Sequence, residues 1–182
     1  MKVLGVVSKE NVLTPKDCDF FLSYYKKQKN IGEWNNGEWN DQSLRRSAPN
    51  LTRYFNLRDI PFYHLRMWLL WRLHLRRVKK DFPFLKFNYG QIVHWSHGSS
   101  KGFHVDVDYP PSKYIGSGIV DWTSVCYLND DFGGGETIVS DTAFYPKKGK
   151  LVVFNSKKLM HGVGRVNGNR YTVIAWWEDT QK

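Results

Sequence analysis

Apolar positions recur with two different periods along this chain, helical in the first half and strand-like in the second. Thr14-Pro15-Lys16-Asp17 has the marks of a helix start: a hydroxyl at the N-cap, proline in the first turn and an early acid. Cys18, Phe21, Leu22 and Tyr25 then follow at helical spacing, predicting a helix over 15–27. A second helix is predicted over 61–78, where Leu65, Trp68, Leu69, Leu73 and Val78 form a stripe and Arg66, Arg72, Arg76 and Arg77 supply charge. Packing of that stripe against a sheet is the expectation; a membrane surface or a partner is the alternative for a basic amphipathic helix. Between the two helices, residues 30–50 are rich in Gly, Asn and Trp without a sustained period. They predict a loop with room for a short hairpin, and loops of this length often serve as binding elements or lids.

From Phe87 onward short β-rich runs alternate with Gly, Pro, Asn and Asp: 91–95, 102–106, 123–128, 137–139, 151–154, 161–166 and 170–177. Many short strands at such spacing argue for a sandwich, barrel or jelly roll. The expected fold is therefore mainly β with flanking helices, a jelly-roll core over about 87–178 preceded by helices and a candidate lid over about 1–86. At 182 residues the chain can bury one substantial core and is short for two, so a single domain over 1–182 is expected. No internal repeat or low-complexity segment interrupts it.

Composition narrows the function classes. The chain is 41% hydrophobic and 24% charged, as soluble proteins are, but the aromatic share of 16% favours strands and lined pockets. Cys18 and Cys126 are too few for a disulfide scaffold, which fits a reducing cytoplasm. The apolar start is too short for a secretory signal, and no run approaches the ~20 residues of a membrane span, so a soluble protein that is not exported is expected. The net charge of +10 allows an anionic partner such as nucleic acid, although a solvated basic surface is the plainer reading.

Three residues carry candidate metal chemistry. His104-Val105-Asp106 falls in a predicted strand, where residues two apart share a face, so an imidazole and a carboxylate can reach one ion. Alone, such a pair is a weak signal. His161, at the start of a later predicted strand, supplies a third ligand, and two histidines plus one carboxylate leave half an octahedron open. That set suits nonheme Fe(II) and O2 chemistry; a structural zinc site drawing on His94 and His97 is the rival. Arg170 follows Asn167-Gly168, a two-residue hairpin signal. Read literally, that turn sets Val166 opposite Asn169 and puts His161, Val163, Arg165, Arg170 and Thr172 on one face. An arginine there can grip the far end of a dicarboxylate with a planar fork. The same register sets Arg165 opposite Arg170, an unfavourable pairing, so either the loop is longer or Arg165 leans toward solvent.

Several segments in order resemble the prolyl 4-hydroxylase family of Fe(II)- and 2-oxoglutarate-dependent dioxygenases, from about Asn11 to Trp177. These are Asn11 to Cys18, Arg45-Arg46-Ser47, Gln91-Ile92-Val93, the stretch Tyr127-Leu128-Asn129-Asp130-Asp131-Phe132-Gly133-Gly134-Gly135-Glu136-Thr137, Lys148 to Phe154, and Arg170-Tyr171-Thr172 through Trp176-Trp177. The stretch from Tyr127 is the most specific. The resemblance implies a double-stranded β-helix, with Fe(II) held by His104, Asp106 and His161. It also implies that Arg170 and Tyr127 bind the distal carboxylate of 2-oxoglutarate, and that Thr172 assists. Hydroxylation of a peptidyl proline using O2, with release of succinate and CO2 and with ascorbate as reductant, is the implied activity. Trp95 stands where many relatives have tyrosine and cannot offer a hydroxyl, which points it toward shaping the substrate channel. A nucleic-acid-directed oxygenase is the second reading, from the charge, and a jelly-roll binding module without catalysis is the third. The Trp-rich segment around Trp34 and Trp39 is the candidate lid.

Overall fold

The computed structural model describes residues 5–26, 32–34, 45–47, 62–108 and 117–181. Among the described residues two helices accompany the sheets: α1 (Pro15–Lys26) and α2 (Phe62–Asp81). Helix α1 begins where the sequence indicates, because Thr14 and Asp17 cap each other. The Asp17 amide donates to Thr14 Oγ1 at 3.2 Å, and the Thr14 amide donates to Asp17 Oδ2 at 3.1 Å. Helix α2 runs three residues beyond the expected end, to Asp81.

The strands are β1 (Val6–Lys9), β2 (Gly32–Trp34), β3 (Arg45–Ser47), β4 (Leu85–Trp95), β5 (Lys101–His104), β6 (Trp122–Tyr127), β7 (Gly133–Gly134), β8 (Thr137–Val139), β9 (Thr142–Phe144), β10 (Leu151–Phe154), β11 (His161–Val163), β12 (Val166–Asn167) and β13 (Arg170–Asp179). The larger sheet has the order β1-β10-β6-β13-β4-β3-β2, and a smaller one the order β5-β11-β8-β9. The pairings are antiparallel. Among the described residues the structure is mostly β, with 40% in strands and 22% in helices, as the jelly-roll reading expects.

Alternation along the central strands sorts two cores. On β13, Val173, Ala175 and Trp177 face the helices together with Ile92, Cys126, Leu151 and Val153. Ile174 and Trp176 turn the other way, joining Tyr89, Val93, Trp95, Val125, Tyr127, Val152 and Phe154. The middle of the larger sheet is thus buried on both faces. Trp71 of α2 reaches so close to β4 that a Cβ on Gly90 would sit 2.5 Å from its ring, which explains glycine there.

The structure departs from the expected register at one place that matters. Val166 does not fold back on Asn169. Instead β12 pairs with β7, β11 pairs with β5 and β8, and β13 pairs with β4 and β6. No hairpin joins His161 to Arg170, which stand on opposite sheets and face each other across the interior. Arg165 is exposed and lends only its carbonyl, which accepts from the Gly135 amide at 3.1 Å. The clash between Arg165 and Arg170 is resolved because the two never oppose. The hairpin allowed within 30–50 is present as β2 paired with β3, which continues onto β4. The proposed lid around Trp39 lies outside the described residues, as does Pro61.

Candidate active site

Two strands and a loop deliver the candidate metal ligands. His104 ends β5 and His161 begins β11, and the two are register partners, so both rings project into the interior with centroids 4.2 Å apart. Asp106 is not in a strand as expected but two residues past the end of β5. Its position is set from outside: its amide donates to the Ser156 carbonyl at 2.9 Å. Thr123 Oγ1 donates to Asp106 Oδ2 at 2.8 Å and lies 2.8 Å from Ser156 Oγ. Two residues on, Asp108 Oδ1 accepts from the Val120 amide at 2.9 Å, and Lys157 reaches Asp108 Oδ2 at 2.6 Å. The loop is therefore tied down on both sides of the carboxylate.

The donor atoms converge. Asp106 Oδ1 lies 3.7 Å from His104 Nε2 and 3.6 Å from His161 Nε2, and one ligand atom of each residue falls within 4.8 Å of the others. Both rings are oriented by the same device: His104 Nδ1 sits 3.0 Å from the Gly102 carbonyl, and His161 Nδ1 sits 3.0 Å from the Leu159 carbonyl. A carbonyl only accepts, so each Nδ1 carries a proton and each Nε2 is aimed at the shared centre. Burial, helped by the nearby charges of Lys101 and His161, pulls the His104 pKa down to about 4, leaving a neutral ring at physiological pH. Burial alone would raise Asp106, but hydrogen bonding and charge from His161, with the Thr123 and Ser156 hydroxyls, outweigh it and hold the carboxyl well below its usual range. Deprotonated nitrogens and an ionised carboxylate are what a divalent cation requires. The group forms the only such cluster among the described residues, and His94 does not join it. His94 stacks on Tyr171 at 4.4 Å and bonds Asn169 Oδ1 at 2.8 Å, which removes it from a zinc site.

Across the cavity lies Arg170, paired in register with Trp95 and only 1% exposed. Its Nη2 donates to Thr137 Oγ1 at 3.2 Å, while Nε and Nη1 are buried with no hydrogen-bond partner. Burial depresses its pKa, opposed by Tyr127 and Glu136. A buried guanidinium with two open donors is strongly unfavourable unless an anion completes it, and it faces the same cavity as the triad. The residues thus fit both an iron ion and a dicarboxylate.

The structure places Tyr127 differently from Arg170. Its hydroxyl donates to the Phe144 carbonyl at 2.9 Å, accepts from the Thr137 amide at 2.9 Å and lies 2.6 Å from Thr137 Oγ1. The ring lies 5.2 Å from the guanidinium carbon. Tyr127 therefore stands behind Thr137, and Thr137 is the residue that lines the cavity. Sequence reasoning missed Thr137, and the signal was available: it closes the Gly-rich stretch that begins at Tyr127. Thr172 is fully buried on the Arg170 side of β13, its hydroxyl without a hydrogen-bond partner. Trp95, Phe154, Ile174 and Trp176 complete an apolar wall.

Comparisons with known proteins agree with this geometry. Residues 90–178 match the model of the 2OG-Fe(II) oxygenase superfamily. None of the proteins of curated function matches the sequence. Among solved structures, a prolyl-4-hydroxylase from Pseudomonas putida is similar at TM-score 0.67 and 14% identity, over 96% of this chain and 92% of that one. A prolyl hydroxylase from Trichoplax adhaerens, in complex with a hypoxia inducible factor peptide fragment, gives TM-score 0.68 and 15% identity over 96% and 84%. HygX from Streptomyces hygroscopicus, with nickel, 2-oxoglutarate and hygromycin B bound, gives 0.66 and 13% over 97% and 84%. At these identities the likeness establishes the shared double-stranded β-helix and leaves the substrate open. The matched segment runs from β4 to β13 and contains the converging triad and the buried arginine; over those 89 residues this chain is similar to the 2OG-Fe(II) oxygenase superfamily, and the match supports a 2-oxoglutarate-dependent dioxygenase.

Proposed function

We propose that His104, Asp106 and His161 hold the Fe(II), that Arg170 and Thr137 receive the distal carboxylate of 2-oxoglutarate with Tyr127 and Thr172 behind them, and that the substrate is a peptidyl proline. The observation that carries this reading is the pairing of one converging triad with one buried, incompletely bonded guanidinium in a single cavity. When bound, the iron supplies O2 activation coupled to decarboxylation of 2-oxoglutarate to succinate and CO2. The chain's own residues do the rest. The Gly102 and Leu159 carbonyls hold the two imidazoles, Thr123 holds the carboxylate, and Arg170 fixes the cosubstrate by its far end, as a bidentate fork allows. Trp95, Phe154 and Trp176 keep the reacting region dry.

A peptide is favoured as substrate by the prolyl 4-hydroxylase-like run from Tyr127 to Thr137 and by a structural neighbour whose complex contains a peptide. The HygX likeness keeps a small polar molecule in view, and the +10 charge keeps nucleic acid. A single domain acting in a reducing compartment, with ascorbate as reductant, completes the proposal, supported by two free buried cysteines. No helix among the described residues is long and apolar enough to cross a membrane. The test is mass spectrometry of proline peptides, methylated oligonucleotides and aminoglycosides incubated with the protein, Fe(II), 2-oxoglutarate and ascorbate. A +16 Da product on proline is expected; dealkylated oligonucleotide without a peptide product would overturn the peptide reading.

A further inference from the structure

The strand that carries His104 is irregular. His161 pairs with His104, but Val163 pairs with Lys101, so two steps along β11 are met by three along β5. One extra residue in β5 is a β-bulge, a device common beside active sites because it re-aims a side chain. In a regular strand Lys101 and His104, three apart, would face opposite sides. The inserted residue brings them to the same side, and both line the cavity. Phe103 is turned outward, 54% exposed. Gly162 permits the distortion, since a Cβ there would lie 2.7 Å from the Lys101 carbonyl.

The bulge also fixes the row in which Lys101 stands. Lys101, Val163 and Thr137 form one row across β5, β11 and β8, and Thr137 is the residue bonded to Arg170. The next row holds His104 and His161. Among the described residues, the charged ones lining the cavity are Lys101, Asp106 and Arg170. Asp106 belongs to the triad, and the open donors of Arg170 match one carboxylate of the cosubstrate. Lys101 adds a second cation to the lining of the same cavity.

We propose that Lys101 is a specificity-determining residue that anchors a carboxylate of the primary substrate beside the metal, so that the preferred substrate is an acidic peptide with Asp or Glu next to the reacting residue. This deepens the reading above and rests on it. An ammonium is a compact charge with three rotatable donors, suited to a carboxylate on a flexible side chain, whereas the fixed fork of Arg170 suits one held in a single pose.

The experiment uses proline peptides that differ only in Asp, Asn or Lys beside the proline, with the parent, Lys101→Met, Lys101→Arg and Lys101→Glu. KM for peptide and for 2-oxoglutarate are measured separately. A charge-assisted contact predicts that the parent favours the Asp peptide over the Asn peptide by roughly tenfold in kcat/KM. Lys101→Met should abolish the preference, Lys101→Arg keep most of it, and Lys101→Glu reverse it toward the Lys peptide, with KM for 2-oxoglutarate unmoved. An unchanged preference in Lys101→Met overturns the proposal. So does a rise in KM for 2-oxoglutarate with the preference intact, which would assign Lys101 to the cosubstrate. If no peptide is turned over, the proline reading fails by itself, and calorimetric titration of acetate into protein loaded with Mn(II) and 2-oxoglutarate decides the anchor. Acetate binding by the parent that Lys101→Met loses supports it, and equal or absent binding in both overturns it. Turnover of a methylated oligonucleotide that depends on Lys101 would put a phosphate in the carboxylate's place and overturn the acidic peptide.

Discussion

Replacing Arg170 by methionine separates the cosubstrate site from the metal site in a single measurement. The guanidinium is 1% exposed, bonded once to Thr137 and open at Nε and Nη1. Without an anion it is a buried charge that the fold holds at a disadvantage, while methionine fills a similar length without a charge. Arg170→Met should therefore melt no lower than the parent when 2-oxoglutarate is absent. With the cosubstrate the order reverses. Two charge-assisted hydrogen bonds at ~1.5–3 kcal/mol each make about 3 kcal/mol the lower end of the loss, or roughly a hundredfold in affinity. At 2-oxoglutarate concentrations about 100 times the parent's Kd, the parent gains about 2.7 kcal/mol from binding, whereas a hundredfold weaker variant gains only about 0.4 kcal/mol. Thermal melts with Mn(II) in place of Fe(II), with and without 2-oxoglutarate, read both signs. Arg165→Ala, at an exposed position, serves as the control. An equal 2-oxoglutarate shift in Arg170→Met and parent would refute the assignment, and a shift lost in Arg165→Ala would put the carboxylate elsewhere.

Two further outcomes follow from groups around the site and in the helical layer. Thr123→Val removes the hydroxyl that steers Asp106 Oδ2, and second-layer losses of this kind weaken metal binding roughly 10–100-fold, so Mn(II) titration should show that drop while the fold survives. His74 is fully buried with neither ring nitrogen bonded, and burial, aided by the Arg77 charge, pulls its pKa to about 4 from 6.5. Its folded pKa is depressed, so the neutral ring's contribution is present above pH 6.5 and is lost as pH falls toward 4. The gap corresponds to roughly 3 kcal/mol, and denaturant melts of His74→Leu should show a correspondingly flatter pH dependence over that window.

The sequence made the parts legible where the cause was local. Helix α1 could be read because Thr14 and Asp17 cap each other within one turn. Strands β8 and β10 stood at their expected bounds because turn residues bracket short apolar runs. The triad and Arg170 were legible as residue types in order. What failed was pairing between distant strands. Asn167-Gly168 is a valid turn signal, yet β12 finds its partner in β7, more than thirty residues upstream, and no local pattern announces that. Strand β1 was missed because its four residues alternate too briefly to stand out, and its strand state depends on the edge offered by β10. Thr137 was missed because a threonine comes to line the cavity at this point only when Tyr127 and Arg170 meet at its hydroxyl from two other strands.

The bulge in β5 makes the character of the cavity separable from its chemistry. Pairing Gly102 instead of Lys101 with Val163 would remove the bulge at constant length, turn the ammonium to the outer face and leave His104 opposite His161. The cavity would lose a positive charge without any metal ligand changing identity. A scaffold arranged this way can alter the charge it presents to substrates through the regularity of one strand, so lineages sharing the triad can diverge in substrate by gaining or losing a bulge as readily as by substitution.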